Sequence, residues 1–344
     1  MEFGPVPLSQ AEGAVLAHSA RVAGGRKIGK GTVLQAGDVA ALAATGVAEV
    51  TVARLGPGDV GEDAAAVRLA AALVPDPAAA GLSVTAPHAG RVNFHAIRPG
   101  VLEMDEAAIH ALNRIDHGIT FATLAPYTRV TAGMLAGTVK IIAYAVDGAA
   151  LTKAEGAARA ALRVRPVKVG SASLILTEAP GQEAKLNAKG AAAVRERLEA
   201  LGMALSEVVT VPHDEAAIAD AIARAAGGMI LILTGAATSD LHDDGPQALR
   251  RAGGHVERFG MPVDPGNLLF YGALGERPVI GLPGCARSPA LNGADWVLER
   301  LACGVAVTPD DIARMGVGGL LKEIPIRPEP RERRRRGGGG PEET

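Results

Sequence analysis

The 344-residue sequence predicts an α/β fold, a three-layer α/β/α arrangement around a mostly parallel sheet, preceded by a smaller β-rich or α+β region. Three observations predict it. Between residues 164 and 307, strand-like runs at 172–177, 204–211, 229–233 and 279–282 alternate with helical stretches at about 188–201, 215–226, 246–252 and 289–302. Strands and helices alternating at this spacing make βαβ units, a parallel sheet and helices on both of its faces. The run MILIL at 229–233 is apolar without alternation, the pattern of a strand buried on both sides. Before residue 164, Gly, Pro and Thr punctuate short β-branched runs, which is the pattern of strands joined by turns.

The length suffices for two or three domains, and the apolar content for their cores. With aromatic residues at only 3%, those cores must be mostly Ala, Val, Leu and Ile. A formal net charge of −2 gives no global field for nucleic acid or for an acidic membrane. Cys285 and Cys303 are too far apart for a CxxC pair, and nothing resembles a signal peptide or a membrane span. A cytoplasmic protein without nucleic-acid or membrane partners is expected.

In residues 1–55, Asp38 is expected to cap a helix over VAALAATG that Gly46 closes, followed by an alternating strand in VAEVTVARL. Lys27, Lys30 and Asp38 read as a solvated face. Residues 56–163 read as a mixed, β-rich domain: a helix over EDAAAVRLAAALV, strands near LSVTAPHAGRVNFH, a helix at 105–114, further strands to residue 146, and a connecting helix in LTKAEGAARAALR. His88, His95, His110 and His117 lack any metal-ligand spacing and read as ordinary histidines. Residues 164–308 are the regular α/β domain, 309–327 a segment containing the strand-like LLKEIPIRP, and 328–344, with RRRRGGGG, a disordered tail or linker.

The loops at the strand ends carry the chemistry, because ligands of such sheets bind beyond the carboxyl ends of the strands. After MILIL the side chains turn small at Gly235, Ala236, Ala237, Thr238 and Ser239; Asp240, Asp243 and Asp244 follow, Pro246 starts a helix and Gly253-Gly254 stops it. Asp214 is placed to cap the 215–226 helix. In GLPGCARSP, Ser288 is expected at the N-cap and Pro289 at the first helical position. Helix starts and glycines on one rim suit a phosphate or another oxyanion. Capping accounts for Asp214 and Ser288 as well as binding does. Asp243 is different, since one cap does not need three carboxylates, and a carboxylate beside an oxyanion needs a cation or a proton between them. Cys285, at the start of its loop, reads either as an activated thiol or as a small buried filler.

These residues resemble the molybdopterin-binding domain family of molybdenum cofactor biosynthesis, MoaB/MogA/MoeA-like, over about 164–307. The family's TGG(T/V)S-x-G-D-x-D motif aligns without a gap on TGAATSDLHDDGPQALRRAGG, with Thr234, Gly235 and Asp243 matching. Its GxPGNPxS loop looks like GLPGCARS, keeping Gly281, Pro283, Gly284 and Ser288; its MxPGKP segment is similar to MPVDPGNLL, its V-x-D-D helix start to VPHDE, and the Asn of its DSN to Asn187. The sequence departs from the pattern at Ala236, Leu241, Cys285 and Asn267, the last replacing a lysine, and the DNSAMDGYA stretch of MoeA proteins is absent. The chain also resembles the front half of bacterial proteins in which such a domain precedes a nucleotidyltransferase.

The resemblance implies molybdopterin as ligand or substrate, with Mg2+ and molybdate. It implies catalytic roles for Asp243 and Asp214, and cofactor contacts at Thr234, Gly235, Ala236, Thr238, Ser239, Asn187, Pro283, Gly284 and Ser288. Asp243 and Asp244 are its metal candidates. The activity it implies is molybdate insertion by a molybdopterin molybdotransferase-like transferase, with a nucleotidyltransferase or another cofactor-biosynthesis protein, or a second copy of the chain, as partner. Two other readings are a non-catalytic molybdopterin-binding module serving a nucleotidyltransferase, and a CinA-like nucleotide pyrophosphate hydrolase.

Overall fold

The computed structural model describes residues 1–179 and 184–322, and the chain separates into two compact units, 1–167 and 168–344. No described helix is long and apolar enough to cross a membrane.

The first unit holds two apolar cores. In the smaller, strands Glu2–Pro7, Glu49–Arg54 and Val15–Leu16 form an antiparallel sheet around Leu8, Leu16, Leu34, Leu42 and Val52. Its helix Ala36–Ala43 is capped differently from expectation: Gln35 is the N-cap, and Asp38 is the third helical residue, closing a capping box on the Gln35 amide. A carboxylate three residues into a helix does this work as well as one at the cap. The larger core lies among a four-stranded sheet (Leu82–Val84, Arg91–Ala96, Leu135–Ile141, Ile119–Thr123), a three-stranded sheet (Arg129–Val130, Gly100–Met104, Leu162–Pro166) and the helices Glu62–Leu73, Glu106–Asn113 and Gly148–Ala157. Phe94 and Phe121 pack edge to face at its centre, 5.7 Å apart. Among the described residues no group of three His, Cys, Asp or Glu side chains could hold a metal ion.

In the second unit the strands are β1 (Ser171–Glu178), β2 (Ala204–Pro212), β3 (Met229–Leu233), β4 (His255–Phe259), β5 (Phe270–Leu274) and β6 (Arg277–Leu282). They form one sheet in the order β2-β1-β3-β6-β5-β4, parallel from β2 to β6 and antiparallel beyond. The helices are α1 (Ala184–Glu199), α2 (Glu215–Arg224), α3 (Asp244–Arg251), α4 (Gly293–Ala302) and α5 (Pro309–Arg314). Every residue of β3 is buried, as its unbroken apolar run requires. Its two faces serve different layers. Ile230 and Ile232 join Ile218 and Ile222 of α2 and Leu249 of α3 in one core. On the other face Leu233 lies so close to α1 that a Cβ on Gly190 would sit 2.6 Å from its Cδ2. The result is the expected three-layer sandwich with a mostly parallel sheet.

The structure corrects two local expectations. α4 starts at Gly293, not at 289, and Ser288 is not its N-cap. Asn292 is: its Oδ1 accepts from the Ala294 amide at 3.0 Å while Asp295 Oδ2 accepts from the Asn292 amide at 2.8 Å. The carboxylate needed for a reciprocal box stands three residues after Asn292, whereas Leu291 stands three after Ser288. Residues Gly284–Arg287 form a separate 3-10 turn. The second correction is at α3, which begins at Asp244, with Pro246 in its first turn, where its missing N–H costs nothing. Two strands, β4 and β5, were not expected. HVERF and FYGAL are short and mixed in character, but Gly275-Glu276 between β5 and β6 is a two-residue hairpin turn with Gly275 at φ 60°. α5 is likewise additional, capped by Thr308 with Asp311. The strand-like run at 320–328 and the tail fall, from residue 323 on, outside the described residues.

Candidate functional site

The parallel strands β1, β2, β3 and β6 all end on one side of the sheet, so their carboxyl ends bring together Thr177 and Glu178, His213 and Asp214, Thr234 and Gly235, and Pro283 and Gly284. β6 comes close to β5 here only because residue 281 is glycine: a Cβ would lie 1.9 Å from the Phe270 ring.

Thr177 is fully buried and is the hub of the first three strand ends. Its Oγ1 accepts from the Gly235 amide at 2.7 Å and lies 2.8 Å from His213 Nδ1. The direction of that hydrogen bond follows the histidine tautomer; Nδ1 accepts from the Thr177 hydroxyl when the imidazole proton is on Nε2. That nitrogen faces Asp244 Oδ2 at 3.7 Å. The His213 amide donates to the Glu178 carbonyl, and Asn187, buried on α1, donates from Nδ2 to Glu178 Oε1 at 3.3 Å. Thr177 and His213 therefore tie the β1, β2 and β3 ends into one frame.

The loop after β3 is organised by Asp243. This residue stands at the N-cap of α3 without capping it; its Oδ2 turns back to accept from the amides of Ser239 at 2.5 Å and Asp240 at 3.1 Å. Oδ1 makes no hydrogen bond among the described residues. Of the amides in 235–239, those of Gly235 and Ser239 are thus spent inside the protein, while Ala236, Ala237 and Thr238 offer amides with no partner among the described residues. Asp214 has its Oδ1 on the Ala217 amide at 3.0 Å and caps α2 as expected.

The loop after β6 is organised by two arginines. Arg197 of α1 donates from Nε to Asp295 at 2.5 Å, from Nη1 to the carbonyls of Ala193 (3.1 Å) and Ala286 (2.9 Å), and from Nη2 to those of Ser288 (2.8 Å) and Ala290 (3.2 Å). Arg287, buried, reaches the Thr234 carbonyl with Nη2 at 2.7 Å, and its Nη1 stands 3.5 Å from the Gly284 carbonyl. Burial pulls its pKa below the usual arginine value. Cys285 is exposed, and its Sγ accepts from Asn292 Nδ2 at 3.1 Å; Cys303 is buried. Ser288 Oγ accepts only a 3.3 Å bond from the Ala290 amide among the described residues.

The structure thus gathers Thr234, Gly235, Ala236, Thr238, Ser239, Asp243, Asp244 and Asp214 around the ends of β2 and β3, Asn187 beside the end of β1, and Pro283, Gly284 and Ser288 after β6. Asn267 lies in the connection before β5, which starts at Phe270 opposite Gly281 and so enters on the rim where β6 ends; its Nδ2 faces the Met261 carbonyl at 3.4 Å. Sequence reasoning missed Thr177, His213, Arg197, Arg287 and the Asn292–Asp295 box. The box had a local signal. The others pair with residues 36 to 98 positions away, and no window of sequence shows such partners.

Asp243 and Asp244 alone do not make a metal cage: one oxygen of Asp243 is held by two amides, and Asp244 faces His213. A divalent ion bound between them would need oxygens from a ligand, which is the usual way for Mg2+.

Comparison with known proteins bears on both ends of the chain. Residues 5–54 match a family model described as "Domain of unknown function (DUF8806)". Residues 184–302 match one described as "Probable molybdopterin binding domain". No curated protein matches the chain. Among solved structures it is similar to the crystal structure of the molybdopterin biosynthesis moea protein from Pyrococcus horikosii, at 13% identity and a TM-score of 0.30, covering 88% of this chain and 75% of that one. Residues 184–302, the part of the chain that carries the strand-end loops, are thus similar to a family of probable molybdopterin-binding domains.

Proposed function

We propose that the second unit binds molybdopterin across the two loops that follow β3 and β6 and takes part in the insertion of molybdate into it. The observation that carries this reading is that the family match spans both loops and that they lie at adjacent strand ends, each with backbone amides that have no partner among the described residues. The phosphate of the pterin is assigned to the amides of Ala236, Ala237, Thr238, Gly284 and Cys285, where small side chains allow close approach and partial positive charge is available. Thr234, Ser239 and Ser288 border that position, and Asn187 and Pro283 its flanks. Asp243 is assigned to the molybdate end, with Oδ1 as the free carboxylate oxygen; Asp244 and His213 beside it can move a proton. Asp214, engaged as a helix cap, is left a supporting role. Magnesium, if required, is shared with ligand oxygens, and a nucleotidyltransferase remains the proposed downstream partner.

The test is reconstitution of an apo-molybdoenzyme from molybdopterin, magnesium and limiting molybdate, with and without the protein. Acceleration by the protein supports insertion. Molybdopterin binding with no acceleration supports the second reading, a non-catalytic module, which the asparagine at 267 favours because it removes a positive charge. Absence of both sinks the proposal.

A further inference from the structure

Two arginines hold the loop after β6, and among the described residues only Arg197 faces a carboxylate. Arg197 faces Asp295 and four carbonyls, so both its charge and its donors are satisfied. Arg287 is 8% exposed, bonds only to carbonyls, and pairs with no carboxylate among the described residues; its Nε has no hydrogen-bond partner. A buried charge without a counter-ion is expensive, and native proteins keep one where something else completes it. Its position says what that is. The guanidinium bridges the Thr234 carbonyl after β3 and the turn that begins at Gly284. Gly284 is exposed, and a Cβ built on it would meet a single atom within 4 Å, Arg287 Nη1 at 3.5 Å, so this nitrogen flanks the open side of that glycine.

We propose that Arg287 is the fixed positive charge of the anion site and selects a tetrahedral oxyanion, phosphate or molybdate, supplying the charge that Asn267 lacks. The inference rests on the placement of the ligand between the two loops but not on the pterin. An oxyanion seated over Gly284 takes a charge-assisted hydrogen bond from Nη1 together with the loop amides, and it completes the electrostatics of a guanidinium that burial otherwise penalises.

The experiment is a thermal-shift and calorimetric titration of the full chain with sodium molybdate and with sodium phosphate, each against sodium chloride at equal ionic strength. The parent should show an oxyanion-specific rise in Tm. Arg287→Met should lose it, with affinity down roughly ten- to a hundredfold, the worth of a hydrogen bond to a charged group. Should that variant not fold, Gly284→Ala and Arg287→Lys carry the test. The first leaves the Arg287 bonds intact and adds only a methyl at ordinary contact distance beside Nη1, so it should fold like the parent and bind the anion more weakly. The second keeps charge without the planar fork and should retain part of the response. No oxyanion-specific shift in the parent, or equal affinity in the parent, Gly284→Ala and Arg287→Met or Lys, overturns the proposal. Mass spectrometry of retained pterin separates the readings: pterin held by an Arg287→Met protein as tightly as by the parent sinks this inference alone, and an anion response without pterin binding sinks only the molybdopterin assignment.

Discussion

The loops after β3 and β6 hang from neighbouring strands, yet they are built on opposite charge. The first carries Asp240, Asp243 and Asp244 within five residues and is shaped by one of them, Asp243, folded onto its own backbone amides. It is a local device, made of residues three or four apart. The second is shaped by cations, one of them reaching from α1 about a hundred residues away. The acidic loop closes on itself through Asp243 and is anchored to β1 only at its base, by Thr177, while the basic loop is held by contacts from α1, β3 and α4. Under the proposed function the phosphate lies where the amides of both loops meet, and the carboxylates of the first loop serve the molybdate end.

If this contrast is right, Arg197 is the most damaging single residue to lose. Arg197→Met leaves Asp295 buried without its partner and should cost about 3–5 kcal/mol of stability in chemical denaturation, the scale of a broken buried pair. Loss of less than about 1 kcal/mol, as for a surface pair, would show that the loop does not depend on its cation. Thr177→Val tests the hub of the other side: it strands the Gly235 amide and the His213 ring nitrogen and should cost about 1–3 kcal/mol, with the loop after β3 exchanging its amide hydrogens faster.

A smaller energetic effect with a larger functional one is expected at Asp243. Asn can still accept from the Ser239 and Asp240 amides, so Asp243→Asn should fold and bind molybdopterin, yet lower molybdate-dependent cofactor formation by about an order of magnitude or more. Equal rates in the reconstitution assay would make Asp243 a structural clasp. The smallest effect sharpens the boundary of the basic loop. Asn292→Ala should lower stability by about 0.5–2 kcal/mol as a lost cap, whereas Ser288→Ala should stay within about 0.5 kcal/mol, both by denaturant midpoint. The reverse order would return the start of α4 to Ser288.

The same contrast sets what the sequence could reveal. The acidic loop was legible, because an apolar run, a string of small residues and clustered aspartates all fall within one window. So were β1, β3 and β6, whose burial follows from composition and spacing, and β2, an edge strand whose residues are half-buried or exposed but whose β-branched run marks it as a strand. The boundary of α4 was misplaced because Ser288-Pro289 carries the ordinary marks of a helix start, and only the carboxylate at 295 shows that Asn292 has the stronger claim. β4 and β5 have five residues each, β4 partly exposed and β5 burying Phe270, Tyr271 and Gly272 in a row, so neither shows the alternation that periodicity detects. Arg197 and Arg287 look like surface arginines in a linear sequence, and only tertiary contacts bury them.

The most direct test of the two-loop cradle is mass spectrometry of the ligand that co-purifies with the protein from a molybdenum-replete host, comparing the parent with Gly235→Val. The substitution places a branched side chain next to the amides of Ala236, Ala237 and Thr238 that are assigned to the ligand, at a residue whose own amide is bonded to Thr177. The parent is predicted to retain molybdopterin and the folded variant to retain none. A parent that carries no molybdopterin, or a folded variant that carries as much as the parent, would contradict the cradle.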